Sequence, residues 1–199
     1  TTYPFYNQDP IHDLRMDKFK ISFGKYSKNG FMFLAKNGTV MDIQDEASQH
    51  SFSDGINDEN TTEEDAATGT IITYAEGKWT AAGTKMTGAG LEGKATEIKV
   101  NKKLNMMSKK GVAFYAKDGG KITVNKDAEG HGYGSIMAYA DNGSEVTVAG
   151  NVKAVDSKVT TAKEKFTNIG AYAKASGADT TVTINGNATI NGLGAFADD

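Results

Sequence analysis

The sequence predicts an all-β protein that folds as a right-handed parallel β-helix, a solenoid, with loop insertions. Three observations predict this fold class: related phrases recur along the chain, the composition suits short strands and tight turns, and no segment of 12 or more residues holds the apolar period of a helix. Recurring units stack on their neighbours, because one unit alone cannot bury its own apolar face. An antiparallel solenoid or a β-sandwich is the alternative, since turn spacing alone excludes neither.

The recurring phrase is a strand that ends in an aromatic residue and alanine, a turn with glycine, and a strand of alternating threonine and aliphatic residues. Residues 114–124 and 138–148 show it in full, and 33–40 and 171–184 show variants. A spacing of 24 residues between phrases is close to one rung of a β-helix, and spacings of 33 to 41 indicate a rung with an insertion. The residues just before the strand-ending alanine are Leu34, Tyr74, Tyr115, Tyr139, Tyr172 and Phe196.

Each rung is predicted to hold three strands. Strand alternation predicts that the first, third and fifth residues of each first strand face inward, and that the aromatic row faces outward as a ladder. Stacked neighbours in such a ladder stabilise the fold, and an exposed ladder could also bind a glycan or a protein. The predicted first strands are 31–35, 71–75, 112–116, 136–140, 169–173 and 193–197, the second strands 39–43, 97–100, 121–124, 145–148 and 181–184, and the third strands 104–107, 151–155 and 187–190.

The chain divides into two predicted regions. Residues 1–28 have a different texture from the repeats and form either a cap or a preceding rung, and residues 29–199 form the rungs. Two insertions interrupt the rungs: 44–69, which is acidic and polar, and 77–95, which is rich in glycine, threonine and alanine and carries the only tryptophan, Trp79.

Composition narrows the class of protein. The net charge is -3 and no basic tract exceeds two lysines, so no nucleic-acid partner is expected. No apolar run approaches the roughly 20 residues of a membrane-spanning helix, so this segment is not expected to be embedded in a membrane. The chain has no cysteine, which fits a bacterial chain exported in an unfolded state better than a disulfide-rich extracellular domain.

No catalytic residue, cofactor or metal ligand is predicted, and the chain is not expected to be an enzyme. The three histidines are isolated in sequence and none has metal-ligand spacing. The stretch 54–60 is rich in oxygen atoms, but it lacks the spacing and mid-loop glycine of an EF-hand, so a solvated acidic loop is favoured over a calcium site.

A polysaccharide-cleaving β-helix is the catalytic alternative. Such an enzyme needs carboxylates clustered on one strand face across adjacent rungs, with lysine or arginine beside them. The second strands instead place Thr123, Thr147 and Thr183 in an outward hydroxyl row.

The predicted recognition surface combines the two insertions, the loop 126–134 and the aromatic ladder, because function concentrates on loops that a regular scaffold positions. The candidate ligand-binding residues are Tyr74, Trp79, Tyr115, Tyr139, Tyr172, Asp54, Asp58 and His131.

Several phrases resemble the passenger regions of type V autotransporter adhesins, in particular fusobacterial and related outer-membrane proteins. The matching pieces are 168–173, 181–192 and 111–124, together with 29–43. The resemblance implies a β-helical stalk at the cell surface, carried by a C-terminal β-barrel translocator, that binds receptors or glycans of host cells or partner bacteria. We therefore expect the chain to be a piece of a longer passenger. A structural spacer without its own ligand is the noncatalytic alternative.

Overall fold

The computed structural model describes residues 5–7, 14–16, 23, 25–44, 52–53, 67–80, 91–159 and 168–199. These residues form strands and turns, and no helix occurs among them. In chain order the strands are β1 (Phe5–Asn7), β2 (Leu14–Met16), β3 (Phe31–Lys36), β4 (Val40–Gln44), β5 (Phe52–Ser53), β6 (Ile71–Glu76), β7 (Glu97–Asn101), β8 (Leu104–Met106), β9 (Val112–Lys117), β10 (Lys121–Val124), β11 (Ala128–Gly132), β12 (Ile136–Asp141), β13 (Glu145–Val148), β14 (Val152–Val159), β15 (Asn168–Lys174), β16 (Thr181–Ile184), β17 (Ala188–Ile190) and β18 (Gly192–Asp198).

The strands form three parallel sheets. The first sheet has the order β1-β3-β6-β9-β12-β15-β18, the second β16-β13-β10-β7-β4-β2, and the third β17-β14-β11-β8-β5. From β3 onwards the chain visits the first, second and third sheets in turn, and we call one such set of three strands a rung. This arrangement is consistent with a parallel β-helix-like or solenoid fold. The antiparallel alternatives do not fit, because every described pairing between strands is parallel.

The predicted first and second strands from residue 31 onwards are all present, with ends that differ by at most one residue. The third strands are less regular: β14 runs to Val159, and β11 was not predicted. The prediction of a loop over 126–134 is therefore wrong, because Ala128–Gly132 pairs with β8 on one side and with β14 on the other.

Parts of the N-terminal region and of the first insertion also pair with the sheets. Strand β1 pairs in parallel with β3, and β2 pairs with β4. Within the first insertion, Phe52–Ser53 pairs with β8. Most of the remainder of 1–28 and of 44–69 lies outside the described residues.

One hydrophobic core draws residues from all three sheets, among them Phe33, Met41 and Leu104, each fully buried. Burial of a side chain of this size contributes about 1.5–3 kcal/mol. The predicted facing is wrong at the start of the first strands, where the second and third residues are both buried and the first is only half-buried. In β12, for example, Met137 and Ala138 are both fully buried. In the pairing of β12 with β9, Ile136 is in register with Val112 and Ala138 with Phe114, and the register gives no pair between them. The strict alternation of inward and outward side chains therefore does not hold at the start of these strands.

Tight turns join the first strands to the second strands. Asn37–Gly38, Asp118–Gly119, Asn142–Gly143 and Ser176–Gly177 all have positive φ angles, which glycine, asparagine and aspartate tolerate best. A hydroxyl just before the second strand then accepts a hydrogen bond from the turn glycine of the preceding rung. The Gly38 amide donates to Thr96 Oγ1 over 2.7 Å, and the Gly119 amide donates to Ser144 Oγ over 3.1 Å.

Candidate binding surfaces

The rings of the predicted aromatic ladder are stacked across the rungs. Its rings are neighbours across successive rungs, with centroids 5.1 Å apart for Tyr74–Tyr115, 4.4 Å for Tyr115–Tyr139, 4.6 Å for Tyr139–Tyr172 and 5.0 Å for Tyr172–Phe196. Phe31 extends the ladder, because its ring lies 5.0 Å from that of Tyr74. Aromatic pairs at these distances add about 0.5–1.5 kcal/mol beyond the area that they bury.

The side chains of the ladder are buried at its N-terminal end and become more exposed toward its C-terminal end. Leu34 and Tyr74 are 3% and 9% exposed, Tyr115, Tyr139 and Tyr172 are half-buried, and Phe196 is 41% exposed. The predicted outward position is therefore wrong for Leu34 and Tyr74, which are both buried. The rungs from β9 to β18 carry the accessible part of this row.

Burial also changes the acidity of the ladder. Loss of water raises the pKa of the Tyr74 hydroxyl well above its usual value, and the negative charge of Glu76 raises it further. Burial likewise raises the pKa of Tyr115 and of Tyr139, with a contribution from Asp141 in both cases. These phenols therefore stay protonated at neutral pH.

A row of charges runs beside the aromatic ladder at the last paired position of the first strands. Its signs alternate strictly along the stack. Each of the four inner residues of this row therefore has an oppositely charged residue in register on both sides, and each end residue has one; Lys36 Nζ, for instance, lies 2.9 Å from Glu76 Oε2. The row consists of Lys36, Glu76, Lys117, Asp141, Lys174 and Asp198. Sequence reasoning missed this row, although its signal is present two residues after each aromatic position.

The same rule holds on the other two sheets. Wherever two charged residues are paired in register in the described strands, their signs are opposite. Opposite charges directly across a strand pair contribute about 0.2–1 kcal/mol, and like charges destabilise the pair. The charges therefore help to fix the order and register of the rungs. The further pairs are Arg15–Asp42, Asp42–Lys99, Glu97–Lys121, Lys121–Glu145 and Glu129–Lys153.

A groove of about 290 Å³ lies on the third sheet. Polar side chains at the start of β11, β14 and β17 line it. The backbone amide of Asn151 donates to Asp127 Oδ1 over 2.8 Å, and the backbone amide of Asn187 donates to Asn151 Oδ1 over 2.9 Å. These hydrogen bonds fix the corner residues of successive rungs relative to one another. The polar lining residues are Asp127, Glu129, Asn151, Lys153, Asn187 and Thr189.

His131 lies on the same strand as the groove residue Glu129. Its Nε2 atom is 3.2 Å from Glu129 Oε2, and Lys103 Nζ is 3.7 Å from Glu129 Oε1. The carboxylate of Glu129 thus lies between the His131 ring and the Lys103 ammonium group. His131 therefore contributes to the surface through a strand position and not through a loop.

Trp79 lies at the base of the second insertion. Its backbone amide donates to the carbonyl of Lys94 over 2.8 Å, and its carbonyl accepts from the Gly93 amide over 3.0 Å. The side chain is 2% exposed and lies against Gly38. Its ring is thus part of the packing and not of the open surface. The other two candidate residues, Asp54 and Asp58, lie outside the described residues.

Three comparisons with known proteins give no relative. No family model matches this chain, and neither the curated proteins nor the solved structures give a match. In the described part of the chain, no three histidine, aspartate or glutamate side chains are grouped so as to hold a metal ion. That part also contains no helix long and apolar enough to cross a membrane. The fold alone therefore defines the class of protein: an all-β protein with three sheets of parallel strands.

Proposed function

We propose that this chain is a passenger segment of a bacterial cell-surface adhesin of the type V autotransporter kind, displayed outside the outer membrane. In this proposal the three sheets close into a right-handed parallel β-helix, and the segment binds a receptor or glycan of a host cell or partner bacterium without catalysis. The parallel stacking of related rungs and the resemblance of their phrases to such passengers support the proposal.

The groove on the third sheet is the observation that carries the binding proposal. Ligand sites are typically concave, with a few polar groups that converge on the ligand. Here a carboxylate (Glu129), an ammonium group (Lys153) and a hydroxyl (Thr189) follow one another in register across β11, β14 and β17. Such an array of donors and acceptors suits a ligand with many hydroxyl groups, such as a glycan chain lying along the stack.

A glycan array and a whole-cell binding assay test this site. The double variant Glu129→Ala/Lys153→Ala is expected to lose saturable binding. The matched control is Lys121→Ala/Glu145→Ala, which removes an in-register pair of the same charges from the second sheet. Equal binding by both variants would contradict the groove as the site. If the folded wild-type chain binds neither cells nor glycans, the chain is a spacer and the adhesin proposal is wrong for this segment.

The first insertion is the other proposed recognition element, because its sequence is acidic and polar and segments inserted into a regular scaffold often carry function. Deletion of 45–51 and 54–66, which lie between the described strands, is expected to weaken cell binding. Full binding after this deletion, with β-sheet content unchanged by circular dichroism, would remove the insertion from the binding site.

One observation favours a second candidate function, cleavage of a polysaccharide. The groove places two carboxylates, Asp127 and Glu129, beside Lys153, and paired carboxylates are the usual acid and base of glycoside hydrolysis. Incubation with polysaccharides that bind the chain would release reducing ends if the groove cleaves them. Binding without release at acidic, neutral and alkaline pH would leave adhesion as the function.

A further inference from the structure

The outer face of the first sheet presents three rows side by side in the rungs from β9 to β18. The first row is apolar, the second is the accessible part of the aromatic ladder, and the third is charged with alternating sign. Leu193 and Phe196 in these rows are 42% and 41% exposed, and Tyr26 is the other large apolar side chain exposed in the described structure. The rows are Val112, Ile136, Ile169 and Leu193; Tyr115, Tyr139, Tyr172 and Phe196; and Lys117, Asp141, Lys174 and Asp198.

We propose that this face binds a second copy of the chain, packed face to face and running antiparallel. A twofold axis along the strands, midway between the rungs of Asp141 and Lys174, maps the face onto itself. Asp141 of one copy then faces Lys174 of the other, and Lys117 faces Asp198. Because the signs alternate, every charge on the face meets an opposite charge.

The alternation excludes the neighbouring arrangements. An antiparallel copy shifted so that the axis passes through a rung places like charges opposite one another. In a parallel copy, each charged residue lies opposite the same residue of the other copy when the charged rows meet. Like charges then again face one another. Juxtaposed like charges cost binding free energy and suppress wrong registers. The antiparallel copy with its axis between rungs is thus the register that the charges favour.

The other two rows also match in this register. Tyr139 faces Tyr172, and Tyr115 faces Phe196, so aromatic rings meet aromatic rings. In the first row Ile136 faces Ile169 in the same manner. A polysaccharide is a poorer occupant of this face, because sugars stack on ring faces and the inner rings of the ladder already have a ring on either side.

For the part of the face that lies between β9 and β18, the size predicts a weak dimer. Four strands about 4.8 Å apart, each of six residues at about 3.3 Å, give a patch of roughly 20 by 20 Å. An interface of this size falls below about 1,200 Å² of total buried surface, in the range of transient complexes. Dimerisation is therefore expected to depend on protein concentration and to weaken as salt screens the charges.

Charge reversal tests the register by sedimentation equilibrium up to about 1 mM, a concentration at which an association of about 4 kcal/mol is half complete. Asp141→Lys alone and Lys174→Asp alone each place like charges opposite one another at two points of the interface. Each is expected to raise the dissociation constant at least tenfold. A 1:1 mixture of the two variants restores opposite charges at both points and is expected to dimerise like the wild type.

Matched controls are Lys121→Glu and Glu145→Lys, which make the same reversals on the second sheet. They are expected to leave dimerisation unchanged, and circular dichroism establishes that all variants are folded. A wild-type chain that stays monomeric up to about 1 mM overturns the proposal. So does a dimer that either single reversal leaves intact, or a mixture that stays monomeric.

Cross-linking gives a second test that does not depend on charge-reversed variants folding. The chain has no cysteine, so Asp141→Cys and Lys174→Cys each introduce a single thiol. Facing sheets are about 10 Å apart, too far for a disulfide, so a short bismaleimide is used. A mixture of the Asp141→Cys and Lys174→Cys chains is expected to cross-link far faster than a mixture of Lys121→Cys and Glu145→Cys chains. Equal rates for the two mixtures contradict the proposal.

Discussion

Strands β15 and β18 carry nearly the same phrase and differ in burial. Strand β15 (NIGAYAK) lies between β12 and β18, and all its residues are half-buried or buried. Strand β18 (GLGAFAD) pairs with β15 alone among the described strands, and all its residues are exposed. The central strand β12, with two complete rungs around it, buries three of its six residues. Neighbouring rungs, and not the rung's own sequence, therefore supply the burial.

The comparison predicts that substitutions of the same kind cost more stability in the central rungs than in or near β18. Stability in stacked repeats is approximately a sum of terms between nearest neighbours. A residue with a rung on both sides loses contacts on both sides when it is truncated, and one in the last rung loses fewer.

The largest expected difference concerns the apolar contacts. Phe114→Ala removes a fully buried ring and is expected to lower the free energy of unfolding by about 3–5 kcal/mol. Leu193→Ala, at a site that is 42% exposed, is expected to cost about 0.5 kcal/mol. Urea denaturation followed by circular dichroism measures both, and comparable losses for the two variants would contradict the comparison.

Two glycines allow a second comparison between a central rung and β18, based on the space around each glycine. A Cβ atom at Gly120 would overlap the carbonyl oxygen of Ala75 in the preceding rung, whereas a Cβ at Gly194 would meet nothing within 4 Å. Gly120→Ala is expected to destabilise the fold by about 1–3 kcal/mol, and Gly194→Ala is expected to leave the melting temperature almost unchanged. A tolerated alanine at position 120 would show that the rungs are less tightly stacked than described.

The corner hydroxyls give a smaller difference. Thr96 Oγ1 is fully buried, accepts from the Gly38 amide over 2.7 Å and donates to the Glu76 carbonyl over 2.9 Å. Thr96→Val removes the hydrogen-bond partner of the Gly38 amide and of the Glu76 carbonyl, and is expected to lower the free energy of unfolding by about 1–3 kcal/mol. Thr180 accepts from the Gly143 amide over 2.8 Å at a more exposed corner, so water can replace it in Thr180→Val. Thermal unfolding of the two variants checks this order.

The charged row predicts an effect of about 1 kcal/mol. Glu76→Lys gives position 76 two like-charged neighbours in register, Lys36 and Lys117, whereas Asp198→Lys gives position 198 one, Lys174. The first variant is expected to lose more stability, and the loss is expected to shrink at 1 M salt, where the Debye length is about 3 Å. A salt-independent loss would show that packing and not charge is responsible.

The aromatic ladder predicts a pH dependence. Burial raises the pKa of Tyr74 and Tyr115 above their usual value of 10.0 in the folded chain. Below about pH 10 both states are protonated and this contribution to stability is complete. Above it the unfolded chain loses protons that the folded chain retains, so stability falls as pH rises. Phenolate absorbance is expected to rise at higher pH in the folded chain than in urea, and coincident titrations would contradict this.

The strands predicted best from sequence are those with β-branched residues at inward positions, such as Lys121–Val124 and Glu145–Val148. Strand β11 (AEGHG) has only alanine and glycine inward, so nothing in its own sequence predicts a strand. A Cβ at Gly130 would run into the sulfur of Met137. The inward volume at β11 is therefore filled by a side chain from another strand, which a pattern within one segment cannot show.

The candidate surfaces were predictable to different extents. The aromatic ladder follows from the repeat spacing, because one residue type recurs at one place in each phrase. The charged row was equally readable but became evident only when the register placed Lys117 beside Asp141. The groove on the third sheet was not predictable, because one of its walls is β11. The burial of Trp79 depends on Gly38, in another rung, which sequence distance conceals.

Native-state hydrogen exchange, read strand by strand, tests most directly whether neighbouring rungs supply the stability. Amides in β9 and β12 are expected to exchange only through global unfolding, and hydrogen-bonded amides in β18 through local opening at much lower free energy. Protection is thus predicted to fall from β12 through β15 to β18. Equal protection in β12 and β18, or greater protection in β18, would contradict the account.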